Sequence, residues 1–63
     1  MISLSDIHEG HKVTVSMGGY KVRHGIVTDT HEDVKNGQPG ISFTNDTGDW
    51  WAYLDQVVAV TGP

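Results

Sequence analysis

The sequence predicts an all-β fold, a five-stranded antiparallel barrel with a 3₁₀ turn before the last strand. Three observations predict it. Lys12 to Met17 alternates, with Val13, Val15 and Met17 on one side and Lys12, Thr14 and Ser16 on the other, the pattern of a half-buried strand. Short apolar runs are separated by Gly18-Gly19, Asn36-Gly37, Pro39-Gly40 and Asn45-Asp46-Thr47-Gly48, residues that turn a chain. No segment carries a sustained helical period. Closure into a barrel pairs strand edges that otherwise template aggregation.

The elements follow in order. Ser3-Leu4-Ser5-Asp6-Ile7 reads as one capped turn, with Ser3 placed to accept backbone N–H bonds and Asp6 at the capping-box spacing. Leu4 and Ile7, three apart, share one side of it. Glu9-Gly10 turns the chain into the first strand, and Gly18-Gly19 suits the positive φ angles of a hairpin. The second strand runs from about Tyr20 to Thr30. Gly25 within it predicts a bulge or sharp bend. Val22 and Val27 are expected inside with the phase switching at Gly25, and Ile26 is the alternative. His31 to Gly40 reads as a polar loop. Ile41 to Thr44 is the third strand, with Ile41 and Phe43 on one face, and Asp49 to Tyr53 is the fourth. Leu54-Asp55-Gln56 is the 3₁₀ turn, with Leu54 anchored in the core, and Val57 to Thr61 closes the sheet. Gly62-Pro63 is a frayed end.

The chain of 63 residues makes one domain, residues 1–63. At this size only roughly 60% of the unfolded surface is buried, so stability is modest. Small scaffolds often recruit disulfides, metals or partner subunits. There are no cysteines, which excludes disulfides, thiolate zinc sites and redox thiols and suits a reducing compartment. Oligomerisation is the remaining device. Net charge is −4 with histidine neutral. Lys12, Lys21, Arg23 and Lys35 form no continuous run, which argues against nucleic acid and against anionic membrane surfaces. No stretch approaches the ~18 apolar residues of a membrane span, and no basic-then-apolar leader stands at the N-terminus. The expected location is cytoplasmic.

The order of elements resembles the SH3-like barrel over about Ile7 to Thr61. Tyr53-Leu54-Asp55-Gln56-Val57-Val58-Ala59-Val60 carries the likeness best, because SH3-like domains place a 3₁₀ turn between their fourth and fifth strands. Glu9-Gly10-His11-Lys12-Val13 looks like the approach to the first strand of such barrels. Arg23-His24-Gly25-Ile26-Val27 resembles the second strand of translation-type and Tudor-type relatives. The resemblance implies the barrel and is topological. The Ala-Leu-Tyr-Asp-Tyr motif with which SH3 domains hold proline-rich peptides is absent. A Tudor-type aromatic cage would draw on Trp50, Trp51, Tyr53 and Tyr20, but no spacing fixes one. Type II dihydrofolate reductases carry Val-Gln-Ile-Tyr where this chain has Trp50-Trp51-Ala52-Tyr53. Only the tyrosine matches, so that activity is not carried over.

Trp50 and Trp51 are adjacent in a strand and face opposite sides. One enters the core and the other lies outside. An outward tryptophan offers a large rigid surface at low entropic cost, which suits a binding hot spot. The alternative is that it covers a neighbouring strand or a subunit contact. Asp46, Asp49 and Asp55 surround this strand, and with the outer ring they suit a basic or arginine-bearing partner. The candidate binding residues are therefore Trp50, Trp51, Tyr53, Tyr20, Asp49 and Asp55.

Other constellations carry less. His8 and His11 have a spacing that suits metal ligands on a helical turn, but Gly10 ends any helix between them. With His24 and His31 elsewhere, the four read as scattered surface histidines. Glu32-Asp33 reads as solvated charge. The glycines lack the spacing, lysine and following helix of a phosphate loop. No catalytic residue, metal or cofactor is expected.

The sequence thus points to a small non-catalytic module for protein–protein interaction or self-association. One alternative is an enzyme whose site forms only at a symmetric oligomer interface, since a chain this short makes no deep pocket alone. Another is an acidic decoy of a nucleic-acid-binding partner. Protonating all four histidines cancels the net charge of −4. Solubility should therefore pass through a minimum near about pH 5. Light scattering across that range checks this, and a flat solubility curve contradicts it.

Overall fold

Alternation in the first strand becomes burial. Val13 and Val15 are buried on the core side of β1 (Lys12–Ser16), while Met17 falls just past its end and is exposed. The computed structural model describes residues 2–62. Within them β1, β2 (Val22–Lys35), β3 (Gln38–Asn45), β4 (Gly48–Tyr53) and β5 (Val57–Thr61) form one sheet in the order β4-β3-β2-β1-β5. Every pairing is antiparallel. Two 3₁₀ turns, Leu4–Asp6 and Leu54–Gln56, complete the elements. Among the described residues no helix is long and apolar enough to cross a membrane.

The first turn is pinned by Asp6. Its carboxylate accepts the Ser3 N–H at 3.2 Å and the Ser3 hydroxyl at 2.9 Å. The hydroxyl first, then the backbone N–H, hold its pKa below the ordinary carboxylate value. Ile7 is buried, and Leu4 packs partly buried against the same core.

Two expectations about β2 need correction. Gly25 does not switch the phase, because pairing with β1 runs unbroken from Lys12↔Ile26 to Ser16↔Val22. The register shifts come later and against β3, between Val27 and Asp29 and between His31 and Lys35. Val27 is therefore buried, while Val22 and Ile26 are exposed. Gly25 serves packing: a Cβ there would collide with the Phe43 ring and stand 2.8 Å from the Thr44 carbonyl oxygen.

The expected loop from His31 to Gly40 is also absent. β2 continues to Lys35, and β3 begins at Gln38. Asn36 (φ 56°) and Gly37 (φ 74°) both lie in the left-handed region, as a two-residue hairpin turn requires. The Gly37 N–H also donates to Asp33 Oδ1 at 2.8 Å. The hairpin reads as a loop in sequence because most of its β2 arm past Thr30 is polar and exposed.

Across β3, Phe43 and Ile41 are buried and face Trp50 and Ala52 of β4. With Ile7, Val13, Val15, Val27 and Val57 these residues make the core, and Leu54, Trp50 and Val60 pack at its margin. Among the described residues β4 pairs only with β3, and β5 only with β1. The gap between these edges is spanned by Leu54–Gln56. Gln56 accepts the Tyr53 N–H at 2.9 Å and donates to the Ser16 carbonyl at 3.3 Å, so the turn is tied to the end of β1.

Gly25→Ala should destabilise the protein by about 1–3 kcal/mol through overpacking against Phe43. Gly62→Ala should be neutral, since a Cβ there meets nothing within 4 Å. Urea unfolding of the two variants checks the contrast.

Candidate functional site

Strand β4 sorts its residues onto two faces. Trp50 and Ala52 turn toward the core, and Asp49, Trp51 and Tyr53 turn away. Trp50 is thereby a structural residue. Its indole N–H donates to Asn45 Oδ1 at 3.1 Å, and the Arg23 guanidinium carbon lies 3.5 Å from the ring centroid. The same Asn45 oxygen accepts the Thr47 N–H and hydroxyl at 2.9 and 2.7 Å. Its amide donates to the His24 carbonyl at 2.9 Å. One side chain therefore ties the β3–β4 turn, the inner tryptophan and β2 together.

Trp51 is the outward ring and stays 46% exposed. It meets Tyr53 edge to face, with centroids 5.2 Å apart and planes at 89°. Lys35 Nζ stands 5.7 Å from its centroid, near the limit of a cation–π contact. In the neighbouring strands Ser42 faces Trp51, and Asp29 faces Ser42. His31, two residues on, places Nε2 2.9 Å from Ser42 Oγ.

This arrangement leaves two hollows beside the aromatic pair. One of about 380 Å³ is lined by His31, Asp33, Val34, Lys35, Ser42 and Trp51. The other, of about 320 Å³, is lined by Ile2, Gln38, Pro39, Tyr53, Leu54, Asp55 and Val57, and its wall is mostly apolar. Gly40, between His31 and Tyr53 in the register, has no room for a side chain. A Cβ there would collide with Val34 and with the Ala52 carbonyl.

The expected site residues divide. Trp51, Tyr53 and Asp49 share the outer face of β4, and Asp55 lies just beyond it in the 3₁₀ turn. Trp50 faces the other way. Tyr20 is fully exposed in the β1–β2 turn. The register puts that turn at the end of β2 opposite to the end nearest Trp51 and Tyr53. Tyr20 is therefore not a ring neighbour of this pair. Asp46 lies in the β3–β4 turn.

Lys35, His31 and Ser42 are the residues sequence reading left out. The signal is Asn36-Gly37, a dipeptide suited to a two-residue hairpin turn. The remaining histidines sit apart from this face. His8 and His11 pack edge to face at 5.3 Å, and His24 Nδ1 lies 2.9 Å from Thr14 Oγ1. Among the described residues no three metal-ligating side chains gather.

Trp50→Ala should cost about 3 kcal/mol of stability, as expected for a large core-side ring. Trp51→Ala should cost less than about 1 kcal/mol, as expected for an exposed cross-strand contact. Chemical denaturation of both variants checks the assignment of faces. Comparison of the chain with family models, with curated proteins and with solved structures finds no significant match.

Proposed function

We propose that this chain is a small non-catalytic binding module, SH3-like in topology. It associates with another protein, or with a second copy of itself, through the outer face of β4. The observation that carries this reading is the Trp51–Tyr53 pair, which packs edge to face while Trp51 stays open to solvent. Rigid aromatic residues flanked by hollows supply contact area with little conformational entropy to lose. The SH3-like reading is supported by the strand order and by the 3₁₀ turn between β4 and β5. The lack of cysteine suits a reducing compartment, and the cytoplasm is the setting this reading assigns.

Edge position adds a second reason. Among the described residues β4 pairs on one side only, so a partner strand can add on the other by main-chain hydrogen bonding while side chains enter the hollows. Trp51→Ala should weaken association at least about thirtyfold, the scale of a hot spot, with the domain still folded. Sedimentation of the wild type and variant reads self-association, and binding titrations with a captured partner read the other mode. Unchanged association in both measurements overturns the proposal.

A further inference from the structure

We infer, resting on the binding-module reading, that the partner is an extended segment carrying an arginine two residues from a large apolar side chain. The outer ring already accepts a cation. Lys35 Nζ stands over Trp51 at 5.7 Å, a long contact that a guanidinium, the stronger cation–π donor, can replace. Lys35 is thus an internal occupant of the position a partner arginine takes.

The surrounding charge favours that exchange. Asp49 points outward two residues before Trp51. Asp33 lines the Lys35 hollow and uses only Oδ1 for the hairpin turn. The chain carries −4 overall, so an incoming cation is attracted and an incoming carboxylate is repelled.

The second hollow supplies the apolar half of the motif. Pro39, Leu54 and Val57 form its wall, with Asp55 beside them. Tyr53 lines this hollow and Trp51 lines the other, and their rings touch. Alternate residues of an extended chain point the same way at a spacing of about 7 Å. An extended segment along the free side of β4 therefore sets one side chain against Trp51 and the next but one into the apolar hollow.

The test uses fluorescein-labelled peptides on one serine-rich background, with a central Arg-Ser-Leu, Glu-Ser-Leu or Arg-Ser-Ser, read by fluorescence anisotropy. The Arg-Ser-Leu probe should bind at least about tenfold tighter than either of the others. Lys35→Met should tighten it severalfold, because the substitution removes both a competing cation and a like charge. Asp49→Asn and added salt should weaken it. Equal or tighter binding of the Glu-Ser-Leu probe overturns the inference, as does weaker binding to Lys35→Met. Absence of binding by every probe also overturns it, and leaves the module reading intact if Trp51→Ala still abolishes association of the protein with its partner or itself. If Trp51→Ala changes no association at all, it is the module reading that fails.

Discussion

The pairing of β2 with β3 decides which residue of one strand faces which residue of the other: Asn36-Gly37 sets Lys35 opposite Gln38, and register shifts between His31 and Lys35 and between Val27 and Asp29 set the pairs beyond. Side chains in a strand alternate with a period of two, so a slip of one residue would exchange the core and solvent faces. Everything on β4 inherits its orientation from this pairing through β3. Val27 faces Phe43, and Phe43 faces Trp50, which makes one buried row across three strands. The next row, Asp29, Ser42 and Trp51, is turned outward by the same pairing. The shift between Val27 and Asp29 lets the long β2 strand keep one phase against β1 and another against the tip of the hairpin. The outer aromatic face therefore depends on the alignment of β2 with β3, two strands it does not belong to.

A domain of this size has few ways to raise its packing density, and two of them here are absent side chains. Gly25 gives the Phe43 ring its place, and Gly40 lets Val34 and the Ala52 carbonyl approach. The result is a small apolar core packed closely behind the sheet. Close packing matters for binding, since an anchor already fixed in position loses little freedom when a partner arrives. Asn45 has a comparable role in polar terms, because it satisfies groups from the β3–β4 turn, Trp50 and β2 at once.

How much of this is legible in the sequence depends on how local the cause is. The fold class, the strand count and the 3₁₀ turn at Leu54–Gln56 could be read, because alternation and turn residues are local signals. The opposition of Trp50 and Trp51 could be read as well, but not which one lay outside. That choice is made by pairing with Phe43, a contact between strands. The extent of β2 was misread because its distal half is polar, and polarity over several residues looks like a loop. With it went Lys35, His31 and Ser42. Gly25 was assigned to a bend for a similar reason. A glycine in a strand signals either a kink or a close approach, and only the position of Phe43 distinguishes them. Tyr20 was grouped with the other rings by residue type, whereas topology puts it at the other end of the sheet.

The adjacent tryptophans carry a degeneracy of their own. If β4 slid by one residue against β3, a tryptophan could still stand inward and another outward, so the pair is nearly blind to its own alignment. Ala52 is not blind. It is buried opposite Ile41, in a space sized for one methyl group. A slip in either direction would bring Trp51 or Tyr53 into that space, and neither ring fits. The smallest side chain on the strand is thus the one that tells the two largest which way to face.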